Sequence, residues 1–258
     1  MILIDTHTHL YLDNYSDDRN EVVQNAISHG VDKMLLPAID KSTFGSMIQL
    51  VGEFPNNCLP MIGLHPTSVK DDYELEMAFV EDHVANGEFI AIGEIGIDLY
   101  WDSTYFEQQK DAFRRQLKLA KKYHLPAVIH TRDSFDEIYP ILKEELTESL
   151  TGVFHCFTGT IDEAYKIIDL GFMMGIGGIV TFKNSGLSET VKAIPTKHLV
   201  LETDAPFLTP APYRGKRNQS AYLTFVAEKM AEIVGVSVDS IAESTTNNAH
   251  NLFKMKLT

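Results

Sequence analysis

The chain has 258 residues, 44% of them hydrophobic and 10% aromatic, an ordinary globular balance that can bury a sizeable core. Its formal charge of −14 speaks against broad non-specific binding to nucleic acid, which wants a basic face, but leaves room for a local basic patch or for cations in an acidic site. Two cysteines far apart, Cys58 and Cys156, give no disulfide framework or C-x-x-C site, and no run approaches the roughly 18 apolar residues of a membrane span.

Short apolar runs alternate with amphipathic stretches along the chain. The first run, residues 2–5, reaches Asp5 after four apolar residues, too few for a signal-peptide core, so a cytoplasmic location is expected. Thr6, His7, Thr8 and His9 follow, and then a predicted helix over 17–30, acidic in its first turn and closed by Gly30. The second and third runs span 33–39 and 59–65, the third ending at His65. The fourth, 89–98, carries Glu94 and ends at Asp98. A helix is predicted over 104–124, with Phe106, Phe113, Leu117 and Ala120 near one face. The fifth run, 126–131, holds His130, with Arg132 just beyond it; the sixth, 152–157, holds His155. A helix over 162–171 ends in glycine, a seventh run covers 172–178, and the eighth, 198–204, ends with Glu202 and Asp204. The polar loop 209–220 leads into two helical stretches, 220–235 and 237–253.

Eight short, near-continuous apolar runs between helices are what strands buried on both faces look like. They predict an α/β fold, a (β/α)8 barrel of the TIM type formed by residues 1–258 as a single domain. A doubly wound open sheet is the alternative.

Residues two apart on an extended backbone point to the same side, so His7 and His9 can face one metal ion while Thr8 faces away. Six of the eight runs carry histidine or acid near the C-terminal end, where barrel enzymes keep their active sites. A lone histidine in an apolar run would read as a hydrogen-bonded core residue. Six together read as a metal site. His7, His9, Glu94, His130, His155 and Asp204 exceed one tetrahedral shell, so two divalent ions are expected, with Glu94, from the middle of the set, as the bridge. Nitrogen with carboxylate oxygen suits zinc, manganese, iron or nickel, and a magnesium site would normally be richer in oxygen.

The segments "DTHTHL", "GLHP", "GEIGIDLYW", "QQKDAFRRQLKLAKKYHLPAVIHTRDS", "HCFTG", "TFKN" and "LETDAPFLTPAPYRGKRN" resemble, in order, the blocks of the TatD family of metal-dependent hydrolases. The resemblance implies a TIM-type barrel, two divalent ions (zinc, manganese, magnesium, nickel or iron) and deoxyribonuclease activity of the 3′→5′ exonuclease type. It implies that His7, His9 and Asp204 hold one ion and His130 and His155 the other, with Glu94 between. His65, Arg132 and Glu202 fall in matching blocks and would line the substrate site. Ser134 and the ending "RNQS" depart slightly from the family pattern.

The expected reaction is hydrolysis of a phosphodiester by activated water. Asp204 would take the proton, and His65 and Arg132 would contact phosphate or help the leaving oxygen. Lys183, Arg214, Lys216 and Arg217 would form a local basic rim for DNA, single-stranded or at its 3′ ends. Tyr100, Trp101 and Tyr213 could stack on unpaired bases or serve as packing residues. Cys156 would point away from the ligand face into the core. No membrane and no obligate protein partner is expected. The same metals and barrel could instead attack an ester, lactone, amide or aminoacyl-ester bond.

Overall fold

The structure, a computed structural model, describes residues 1–255. Its strands are β1 (Leu3–Asp5), β2 (Val31–Leu36), β3 (Cys58–Pro60), β4 (Ile92–Asp98), β5 (Ala127–Arg132), β6 (Gly152–Phe154), β7 (Met173–Ile176) and β8 (Leu199–Leu201). All pairings between neighbours are parallel and follow chain order, in two arcs, β1-β2-β3 and β4 through β8.

Isolated bridges join the arcs into a closed ring. Ile62 pairs with Ile92 at one seam, and Thr8 with Ala205 at the other. At the second seam Thr6 N donates to Leu201 O at 3.0 Å, Asp204 N to His7 O at 2.9 Å and His9 N to Ala205 O at 2.8 Å. The predicted (β/α)8 barrel is therefore the observed one, and no open-sheet edge is left at β1 or β8.

Nine α-helices accompany these strands among the described residues. They are α1 (Arg19–Ser28), α2 (Lys41–Glu53), α3 (Tyr73–Asn86), α4 (Phe106–Tyr123), α5 (Phe135–Glu145), α6 (Ile161–Asp169), α7 (Leu187–Ala193), α8 (Leu223–Val234) and α9 (Val238–Phe253). Helix ends use local chemistry. Thr160 and Glu163 form a reciprocal capping box on α6, and His124 closes α4 in the left-handed conformation at φ 54°. None of the described helices is long and apolar enough to cross a membrane.

The main core lies between the strands and the helices. A second cluster draws one residue from each of seven strands or their edges, Ile4, Leu35, Met61, Ala91, Val128, Val153 and Val200. Ala249, Leu252 and Phe253 at the end of α9 join it, and Asn248 Nδ2 ties α9 to Leu199 O at 2.7 Å. This cluster of mostly branched apolar side chains fills the barrel below the polar strand ends, as the fold requires. Strands β3, β6, β7 and β8 end before their apolar runs do, and His65, His155 and Asp204 stand in the stretches that leave the sheet beyond β3, β6 and β8.

Candidate metal centre

The first histidines lie just past β1, His65 past β3, Glu94 within β4, His130 within β5, His155 past β6 and Asp204 past β8. All converge at one end of the barrel. Thr8 faces away as expected, against Ser220 Oγ at 3.3 Å, and both histidines beside it point inward.

Glu94 divides the site. Its Oε2 lies 3.1 Å from His7 Nε2 and 3.6 Å from His9 Nε2. Its Oε1 lies 2.8 Å from His130 Nδ1, 2.8 Å from His155 Nε2 and 3.2 Å from His65 Nε2. Asp204 Oδ1 completes the first half, 3.5 Å from His9 Nε2 and 3.9 Å from His7 Nε2. Three overlapping sets, His7 with His155 and Asp204, His7 with His9 and Glu94, and His65 with Glu94 and His130, have candidate ligand atoms within 4.8 Å of one another. Imidazole nitrogens facing carboxylate oxygens at these spacings suit divalent cations. The facing nitrogens of His7 and His9, 3.2 Å apart, are the clearest sign of fit, because a cation between them satisfies both lone pairs.

His65 differs from the other histidines. Its Nδ1 accepts from Thr67 N at 3.1 Å and lies 2.6 Å from Thr67 Oγ1. A nitrogen that accepts from a backbone N–H carries no proton, so neutral His65 holds its hydrogen on Nε2. Burial lowers its pKa and keeps it neutral. That makes it a hydrogen-bond donor toward Glu94 rather than a ligand.

The charges balance through close contact. Burial alone would raise Glu94, but His155, His65, His7 and His130 together hold it well below the usual carboxylate range. Burial lowers His155 and His130, and their carboxylate neighbours outweigh it, Glu94 and Glu202 for His155, Asp98 and Glu94 for His130. Asp204 is likewise lowered, burial being overcome by His9, His155 and His7.

Two carboxylates stand behind the histidines. Asp98 Oδ2 accepts from His130 Nε2 at 2.8 Å, and its Oδ1 accepts from Tyr100 N and Trp101 N. The sequence places Asp98 at a strand end but gives it no role; the paired histidine is the signal that identifies it. Glu202 is expected at the substrate. It is instead 1% exposed, with Oε1 accepting from Cys156 N at 2.6 Å and lying 3.4 Å from His155 Nδ1. A Cβ on Gly175 would come within 2.0 Å of its Oε2, so that glycine makes the room for it. In β4, Gly96 at φ 148° brings the backbone against His130, where a Cβ would come within 1.9 Å of His130 O.

A cavity of about 610 Å³ opens over these groups, lined by His9, His65, Glu94, His130, His155 and Asp204, with Arg132, Trp101 and Phe207 on its wall. Cys156 also lines it. The strand alternation that predicts a core position ends at Phe154, and Cys156 adopts a φ of 47°. Lys183, Arg214, Lys216 and Arg217 are exposed and lie outside this wall. The Arg217 guanidinium is taken by Asp18 and Asn14 O, and that of Arg214 lies 3.9 Å from the centre of the Phe182 ring. Tyr213 is packed, stacked on Tyr222 at 4.6 Å.

The model of the TatD related DNase family matches residues 4–254. The chain belongs to the TatD family. It is 39% identical over 255 residues to YabD of Bacillus subtilis, described as an uncharacterized metal-dependent hydrolase, covering 98% of this chain and 100% of that one. YcfH of Escherichia coli, with the same description, is 35% identical over 98% of this chain and 96% of its own. The crystal structure of the E. coli TatD homolog YjjV superposes with a TM-score of 0.92 at 30% identity, covering 98% of both chains. The TatD resemblance read from the motifs is thus the family found, and this TatD chain carries side-chain groups positioned to bind metal ions.

Proposed function

We propose that this metal-dependent hydrolase of the TatD family cleaves phosphodiester bonds, removing nucleotides from the 3′ ends of single-stranded DNA. Two divalent ions, zinc, manganese, magnesium, nickel or iron, would be held here, with Glu94 facing both sets of histidines. His7, His9 and Asp204 would hold one of them, and His130 and His155 the other. The division of the Glu94 carboxylate between two groups of imidazoles supports two ions rather than one. When bound, such ions activate water and neutralise phosphoryl charge.

The observation that carries the substrate reading is the mouth of the cavity. The Arg132 guanidinium lies 3.9 Å from the centre of the Tyr100 ring and 5.3 Å from that of Trp101. Trp101 is 67% exposed and Phe207 50% exposed, and both line the cavity that holds the metal groups. An exposed ring accepts an unpaired base, and a guanidinium pairs with phosphate in a fork. The family's DNase description agrees with this combination.

Each residue then has a part. Asp204, ionised and facing the cavity, takes the proton from the attacking water. Arg132 orients the phosphodiester. His65, whose single Nε2 hydrogen faces Glu94 in the metal-free protein, would turn it to the departing oxygen once that carboxylate is taken by metal. Glu202 steadies His155 from behind. Lys183, Arg214 and Lys216 meet phosphates farther along the strand, and Arg217 braces the loop that carries two of them.

The test is incubation of a single-stranded oligonucleotide carrying a 5′ label with the metal-stripped protein and each of the five cations. Stepwise shortening from the 3′ end, abolished by EDTA, is expected. Intact DNA alongside cleavage of an acyl ester overturns the reading.

A further inference from the structure

Tyr11 is 1% exposed, two residues past His9, and takes no part in the chemistry above. Its hydroxyl oxygen has two polar neighbours, Pro37 O at 2.6 Å and His9 Nδ1 at 2.9 Å. A carbonyl only accepts, so the single phenolic hydrogen goes to Pro37. The hydroxyl is left as an acceptor for the imidazole, and His9 Nδ1 must carry a hydrogen. In the neutral ring the other nitrogen is then bare. That atom, Nε2, is the one that faces His7 Nε2 at 3.2 Å and Asp204 Oδ1 at 3.5 Å.

We propose that Tyr11 is a positioning residue of the metal centre, locking His9 as the Nδ1–H tautomer so that its Nε2 is a ready ligand atom. The proposal rests on the reading of His7, His9 and Asp204 as the ligands of one cation. The contrast with His65 gives the arrangement its meaning. Thr67 gives His65 the opposite tautomer, so two imidazoles facing the same carboxylate are assigned different work, one to hold a cation and one to donate a hydrogen bond. Partners of this kind behind a ligand are worth about 10- to 100-fold in metal affinity.

The experiment has two readouts, neither of them turnover. Nitrogen-15 spectra of the metal-free protein report which nitrogen of His9 is protonated. Zn²⁺ titration of the metal-stripped protein against a chromophoric chelator reports the affinity of each equivalent. Wild type is expected to show His9 protonated on Nδ1. In Tyr11→Phe the Nε2–H form should appear, and one of two zinc equivalents should weaken about 10- to 100-fold while the other stays put. Tyr11→Gln, whose amide oxygen can accept from Nδ1, should recover part of the loss. A wild-type His9 protonated on Nε2, or a folded Tyr11→Phe protein with both affinities unchanged, overturns the proposal. Should Tyr11→Phe not fold, the wild-type tautomer alone decides. Wild type binding fewer than two equivalents refutes the two-ion reading instead, and the metal-free spectrum still tests the role of Tyr11.

Discussion

Asp98 holds His130 from behind, its Oδ2 2.8 Å from Nε2, while Nδ1 on the opposite edge of the ring lies 2.8 Å from Glu94. The contact decides which nitrogen faces the cavity. Asp98→Asn is the informative variant, because its amide oxygen can still accept from Tyr100 and Trp101 while its NH2 faces His130 and favours the wrong tautomer. Metal affinity at one of two sites is expected to fall about 10- to 100-fold, measured by calorimetry, with little change in melting temperature.

Glu94→Gln should be more damaging than the loss of any one histidine. Both carboxylate oxygens face imidazoles, so the neutral amide weakens both halves together. Elemental analysis after dialysis is expected to show well under the wild-type metal content. A variant that retains two equivalents would show that Glu94 does not bridge.

Asp204→Asn separates binding from chemistry. One oxygen facing His9 is kept, but the proton acceptor is gone. The rate of phosphodiester cleavage should fall about 10²- to 10⁴-fold, while single-stranded DNA still binds the metal-free variant with wild-type affinity.

Proton linkage gives a prediction with a definite sign. Burial lowers His155 and His130, but the neighbouring carboxylates win and hold both above the ordinary histidine value of 6.5. Their protonated rings stabilise the metal-free fold fully below that value, and the benefit is lost as pH rises through the elevated ones. Asp5, pushed up to about 7 by burial, acts in the same direction, its contribution falling as pH climbs from the ordinary aspartate value toward 7. The metal-free melting temperature should therefore decline as the pH rises past about 6.5 and through the elevated histidine values. Cations compete for the same nitrogens, so affinity should rise over that window. Calorimetry in buffers of different ionisation enthalpy should register proton release on binding, and none would contradict these shifts.

The aromatic mouth predicts strand preference. Trp101→Ala and Phe207→Ala should each weaken binding of single-stranded DNA by about 1–3 kcal/mol and leave blunt duplex almost unaffected, narrowing the ratio of kcat/KM between the two. Trp101 is the chain's single tryptophan, so its fluorescence reports stacking directly.

Much of this was written plainly in the sequence. Eight apolar runs became eight strands in the same order, and the residues at their C-terminal ends, His7 to Asp204, meet as the alternation of side chains implies. Patterning says which side a residue faces. It does not say which nitrogen of an imidazole is protonated, because the deciding partners, Pro37 behind Tyr11 or Asp98 behind His130, come from other strands. Glu202 illustrates the same limit, since an acid at a strand end reads alike whether it faces substrate or supports a ligand. Among the helices, α2 is obscured by Gly45 and Gly52 and α5 by Pro140. Helix α3 carries Met77, Val80 and Val84 at helical spacing and was within reach of the pattern.

The plug of branched side chains across the barrel, sealed from below by Leu252 and Phe253, makes the site a dead-end alley. A polymer cannot be threaded through and ratcheted along. A DNA strand of the kind proposed would have to offer a free tip or a looped-out base at the opening above the metal groups, and any piece cut from it would have to leave by the same route.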